Sequence, residues 1–223
     1  MDLVGIKLTT LHRAAEIALE IELDSVTFRL VGADAMLGEA RILFGGSFNP
    51  PHIGHQALLE ALDARFSRAT LTLIPVHTHA FGKALVPFAT RLRWCEVLAD
   101  SISERIEVTD VEQSLDGSSL RTVEHFRALE PTRRLVWAIG SDLLQSLSSW
   151  RGAASLARRV EFCVFQRGGA VVDETLVVSP TVLPEISSSE LRSQLARGEI
   201  AQSALPEVLK PHFLKDNPYL DHP

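Results

Sequence analysis

The chain predicts an α/β protein built on a doubly wound parallel sheet, and three observations carry that expectation. From residue 41 onward, apolar runs of strand length alternate with amphipathic stretches of helical spacing. A Gly/Pro turn from Gly45 to His55 (GGSFNPPHIGH) joins one such run to one such helix, where a parallel sheet presents a phosphate site at a strand's carboxyl end. With 223 residues and 46% hydrophobic content, the chain can bury a sheet covered on both faces.

In chain order, the first 40 residues read as an amino-terminal leader. It holds a helix over residues 8–21 (LTTLHRAAEIALEI) and a strand over 26–31 (VTFRLV). Met36 lies five residues before Arg41. The leader is therefore either an accessory element or an upstream start, and a chain beginning at Met36 is expected to fold and keep its chemistry. Residues 41–223 form the main domain. Its strands are expected at residues 41–44 (RILF), 70–76 (TLTLIPV), 105–109 (RIEVT), 135–139 (LVWAI) and 160–165 (VEFCVF), with helices between most of them.

His52 and His55 stand three apart at a helix start, so they share one face beside backbone N–H groups that lack intrahelical partners. That is an anion site. Gly45 and Gly46 are expected to supply turn angles closed to other residues, and Gly54 to let a phosphate approach the backbone. The two imidazoles add donors that can be neutral or charged near pH 7. A zinc set drawn from these histidines with His77 and His79 is disfavoured, because Cys95 and Cys163 stand apart without a C-x-x-C pairing. A net charge of −6 without a dense basic run excludes a long nucleic-acid backbone as partner. Neither a signal peptide nor a run of 18 apolar residues is present, so no membrane partner and a reducing cytoplasm are expected, while a homo-oligomer stays open.

The stretch Ser47 to His55 resembles the T/S-x-x-H and H-x-G-H signature of the nucleotidylyltransferase superfamily. Ile186 to Arg192 (ISSSELR) also reads as a capped helix start, and it is similar to the superfamily's I-S-S-T-x-I-R motif. Gly140, Asp142 and Trp150 match the G-x-D-x-L-x-x-x-x-x-W segment of bacterial nicotinate-mononucleotide adenylyltransferases. Residues 205–220 look like that family's closing helix and terminal turn, and Gln166 to Gly169 like its Arg-Pro-Gly turn. The resemblance covers about residues 41–220, and it implies a Rossmann-like nucleotidylyltransferase domain.

What the resemblance implies is adenylyl transfer from ATP to nicotinate mononucleotide, without a covalent enzyme intermediate. His52, His55 and Arg192 would be catalytic, with His55 acting in the transition state. Gly45, Gly46, Ser47, Phe48, Gly54, Gly140, Asp142, Ser188 and Ser189 would line the ATP side. Lys83, Ser119, Thr122 and Trp150 would line the mononucleotide side, with Trp150 stacking on the pyridine ring. Mg²⁺ would enter mainly on phosphate and water oxygens, with no protein metal site. Three departures bear on the acceptor: Asn49 stands for an aspartate, Lys83 for a lysine one position away, and Ser119 and Arg121 for a threonine and an aspartate. Nicotinamide mononucleotide, another phosphate acceptor, or an idle nucleotide-binding sensor are the alternative readings.

Overall fold

The computed structural model describes residues 7–13, 16–32, 35–78, 82, 84–167, 177–178, 183–200 and 203–220. Lys83 and His79 lie outside these. Eight strands form one sheet: β1 (Lys7–Arg13), β2 (Glu16–Leu23), β3 (Val26–Val31), β4 (Arg41–Gly46), β5 (Thr70–Pro75), β6 (Ile106–Val108), β7 (Leu135–Gly140) and β8 (Glu161–Phe165). Their order is β1-β2-β3-β8-β7-β4-β5-β6. From β3 to β6 every pairing is parallel, and β1–β2 and β2–β3 are antiparallel.

The central strands β4, β7 and β8 are apolar almost throughout because both sheet faces are covered. In β4, Ile42 and Phe44 enter a core with Leu59 and Leu62 of helix α1 (Ile53–Arg65) and Cys95 and Leu98 of α2 (Phe88–Asp100). Leu43, between them, points to the opposite core, which holds Val123 and Phe126 of α3 (Ser119–Leu129) and Leu156 of α4 (Ala153–Ala157). Helices α5 (Ser188–Ala196) and α6 (Lys210–Lys215) close the carboxyl-terminal part around Leu191, Leu195, Phe213 and Trp94. No helix among the described residues is long and apolar enough to cross a membrane.

The five strands expected after residue 40 are present within a residue or two of their expected ends. The helix expected over residues 8–21 is not: this stretch forms β1 and most of β2. The signal was in the second half. Leu19, Ile21 and Leu23 are buried while Glu20 and Glu22 between them are less so, a period of two that outweighs the helix-forming alanines before it. The chain reverses through Asp24 and Ser25, both left-handed (φ 46° and 64°), as a two-residue hairpin requires. Leu30 of β3 then pairs with Phe162 of β8, so the leader completes the sheet. A chain starting at Met36 would lack β1, β2 and β3. Such a chain would lose Leu19, Ile21, Phe28 and Leu30 from the core and bare the β8 edge.

After β4 the chain winds outward through β5 and β6, then returns to the other side of β4 with β7 and β8. The sheet reverses between β4 and β7, and the crevice at their carboxyl ends is where ligands of open α/β sheets bind.

Candidate active site

Two turns meet at that crevice: the one following Gly46 of β4, and the one following Gly140 of β7. The glycines of the first turn work differently from expectation. Neither Gly45 nor Gly46 has a left-handed backbone; the left-handed residue here is Phe48 (φ 44°). What the glycines provide is clearance, since a Cβ on Gly45 would sit 2.8 Å from the Trp137 ring and one on Gly46 3.1 Å from the Phe48 ring. Phe48 itself is 1% exposed, so its ring supports the site from below, edge-on to His55 at 4.8 Å.

Helix α1 opens on the histidine pair. His52 is the N-cap, and its Nδ1 accepts the backbone N–H of His55 at 3.3 Å. In return, His55 Nδ1 accepts the backbone N–H of His52 at 3.1 Å. The rings stack with centroids 3.6 Å apart. Gly54 makes room for this pair, because a Cβ there would press on the His52 ring at 3.1 Å and on the Pro184 carbonyl at 3.3 Å. An Nδ1 that accepts carries no proton, so in each neutral ring the proton is on Nε2. Burial, with the charge of Arg167 second, holds His52 neutral down to about pH 3. Burial, then His52 and Arg167, pushes His55 well below the usual histidine range. The free protein thus presents neutral Nε2–H donors rather than groups that titrate near pH 7. Backbone amides contribute less than expected: Ile53 N–H donates to the Ala204 carbonyl, and those of His55 and Gln56 to His52.

Arg167, just past β8, is a candidate site residue that sequence reasoning does not single out. Its backbone N–H donates to Ser141 Oγ at 3.0 Å, and its guanidinium donates to the Ile186 carbonyl at 2.6 Å and to Asp142 Oδ2 at 3.2 Å. It therefore ties together β7, β8 and the approach to α5, beside both histidines. Arg192 comes from α5, donating to the Asn49 carbonyl at 3.0 Å and to Ser189 Oγ at 3.0 Å. Ser187 is the cap of that helix, its Oγ accepting from Glu190 N–H, which leaves Ser188 and Ser189 in the first turn as placed by sequence. A cavity of about 630 Å³ opens beside Ser189 and Arg192.

The loops that frame the crevice are tied to one buried cation. Arg91 of α2, 1% exposed, donates to the carbonyls of Ser47 (2.7 Å), Val76 (2.8 Å), His77 (3.2 Å) and Val86 (2.8 Å). Asn49 accounts for its own departure from aspartate. Its Oδ1 accepts from Val86 N–H and from the Tyr219 hydroxyl, a structural brace that an amide oxygen serves without a charge.

Ser119 opens α3, and Trp150 follows the 3-10 turns of residues 141–149. The two regions are joined: Arg151 pairs with Asp116 Oδ2 at 2.9 Å, and Asp116 Oδ1 accepts from Ser118 at the α3 cap. Trp150 is half-buried, its Nε1 donating to Ser146 Oγ at 3.3 Å. Thr122 departs from expectation. It is 1% exposed and gives its hydroxyl to buried Glu112, whose carboxyl burial pushes up, so it holds the loop before α3 rather than facing a ligand. Arg121 pairs with Glu124 one turn along its own helix and lies exposed.

The cytidylyltransferase-like family matches residues 43–194. A protein of Anaeromyxobacter dehalogenans named "Probable nicotinate-nucleotide adenylyltransferase" is 34% identical over 175 residues, covering 76% of this chain and 91% of its own. Its namesake in Myxococcus xanthus is 34% identical over 166 residues, covering 74% and 86%. Among solved structures, nicotinic acid mononucleotide adenylyltransferase of Plasmodium falciparum, complexed with NaAD, shares the fold with a TM-score of 0.69 at 20% identity, covering 81% of this chain and 97% of its own. With the histidine pair at the β4–α1 turn and the two arginines beside it, the chain belongs to the cytidylyltransferase-like family and, within it, to the nicotinate-nucleotide adenylyltransferases, enzymes of adenylyl transfer in NAD biosynthesis.

Proposed function

We propose that the crevice between β4 and β7 carries out this transfer from ATP to nicotinate mononucleotide, with His52, His55, Arg167 and Arg192 as hydrogen-bond donors to the phosphates. The observation that carries the reading is the reciprocal histidine cap, which directs two Nε2–H donors of fixed tautomer from one helix start. The mononucleotide phosphate attacks the α-phosphorus of ATP in line; one P–O bond forms, the bond to the β-phosphate bridging oxygen breaks, and pyrophosphate leaves with the electron pair. Such chemistry needs positioning and charge stabilisation more than a nucleophilic side chain.

Neutral Nε2–H groups donate to phosphate oxygens without first taking up a proton, and they tighten as charge builds on the bridging oxygen. Arg192 and Arg167 offer planar forks to the departing pyrophosphate. The groups described above are mostly hydrogen-bond donors, and the carboxylate of Asp142 is already paired with Arg167. This set suits Mg²⁺ held on phosphate and water oxygens, where the ion neutralises phosphate charge when bound. Trp150 stacks on the pyridine ring, and Ser119 with the amides of the α3 start reads its carboxylate.

Comparing nicotinate and nicotinamide mononucleotides as acceptors tests this assignment. Donors aimed at a carboxylate are left facing an amide NH₂, which costs about 1 to 3 kcal/mol, or roughly 5- to 150-fold in kcat/KM. Equal use of both acceptors sinks the nicotinate preference; no pyrophosphate from either, with ATP and Mg²⁺ saturating, sinks the donor assignment.

A further inference from the structure

The family match begins at residue 43, beyond the β1–β3 meander, yet this meander is built into the segment that leads to Trp150. That segment, residues 141–149, is a run of 3-10 turns. Such turns have poor hydrogen-bond geometry and rarely persist for long unsupported. Three contacts supply the support from the meander. At the tip of the β2–β3 hairpin, Asp24 Oδ2 accepts from Ser148 Oγ at 2.7 Å. Leu144 and Leu147 share a core with Leu19, Ile21 and Leu23 of β2. Phe28 of β3 meets Phe162 edge-on, with centroids 5.6 Å apart at 79°, and Phe162 meets Trp150 at 6.4 Å and 73°. Elsewhere the loop is tied at its start to Arg167, through Ser141 and Asp142, and past its end by Arg151, which pairs with Asp116, both of them partly open to water.

From these contacts we propose that the amino-terminal meander is a positioning element for the acceptor: it holds residues 141–150 in place and so sets the affinity for the mononucleotide, with Asp24 and Phe28 as positioning residues that touch no substrate. The proposal rests on the reading of Trp150 as the residue that stacks on the acceptor. Asp24 is its sharpest point of attack, because the left-handed backbone there (φ 46°) separates turn geometry from hydrogen bonding. Glycine adopts that conformation freely and removes the acceptor oxygen; asparagine keeps both the conformation and an oxygen.

The experiment measures KM for each substrate and kcat in the full chain for Asp24→Gly, Asp24→Asn and Trp150→Ala. Asp24→Gly is expected to raise KM for nicotinate mononucleotide about three- to tenfold, the range of one hydrogen bond, with KM for ATP unchanged and Asp24→Asn close to the parent. A hairpin that merely stabilises the fold would instead shift both KM values and kcat together. If Trp150→Ala raises the mononucleotide KM and Asp24→Gly does not, the brace is overturned while Trp150 keeps its role. If Trp150→Ala leaves that KM unchanged, the stacking reading falls, and the meander's part in acceptor affinity falls with it.

Discussion

Replacing His52 with asparagine should flatten the acid side of the protein's stability curve. His52 is 2% exposed and stays neutral down to about pH 3, whereas in the unfolded chain it titrates near its ordinary 6.5. Below 6.5 the unfolded state takes up a proton that the folded state refuses, so this contribution is intact above about pH 6.5 and is lost as pH falls toward 3. Between pH 7 and pH 5 the loss from His52 alone comes to about 2 kcal/mol, from 1.36 kcal/mol per pH unit beyond the midpoint. Asparagine is a favoured N-cap and can still accept the His55 N–H, so the substitution preserves the helix start and removes only the titration. Urea melts at pH 7 and pH 5 read the difference directly. With a slope of about 2 to 3 kcal/mol per molar urea, the parent midpoint should drop by roughly 0.7 to 1 M more than that of His52→Asn. Equal drops in the two proteins would refute the buried, neutral state of His52, and with it the Nε2–H donor.

Two further outcomes follow from the same geometry. His55→Ala should lower kcat about a hundred- to thousandfold, the usual cost of one transition-state donor, with KM for ATP little changed; steady-state rates within about threefold of the parent would remove His55 from the chemistry. Arg167→Met should lower kcat/KM for ATP about ten- to hundredfold, as expected for a lost charge-assisted bond, and unaltered pyrophosphate release would reduce Arg167 to a strut between β7 and β8.

What could be read in advance was whatever is local in the chain. The parallel strands announce themselves because both faces of each are buried, so Arg41–Gly46 and Leu135–Gly140 are apolar almost throughout. His52 and His55 were legible because their three-residue spacing is itself the geometry of a helix start. The leader misled for an equally local reason. Leu8, Leu11 and Ala15 fit a helix, and the competing alternation of Ile17, Leu19, Ile21 and Leu23 decides the matter only when a neighbouring strand such as β3 is there to pair with it. Arg167 and Arg91 were illegible for the converse reason. Each is a lone arginine whose partners lie many residues away, Asp142 and Ile186 for the one and Ser47, Val76 and His77 for the other, and only the sheet brings them together. Thr122 misled because the motif marks its position and cannot mark its burial against Glu112.

The mutual cap of His52 and His55 also makes the two residues one genetic unit. Each ring accepts the other's backbone N–H, so a substitution that loses the acceptor at either position removes one of the two bonds that close the same turn. Energies of such interlocked groups do not add: the double variant should be little worse than the poorer single one, and a cycle of the four proteins should show a large coupling. Repair at one position alone, in the double variant, should recover almost nothing. A lineage that loses both histidines has no stepwise way back through partial activity, and drift at this turn would pass quickly from enzyme to a fold that no longer catalyses.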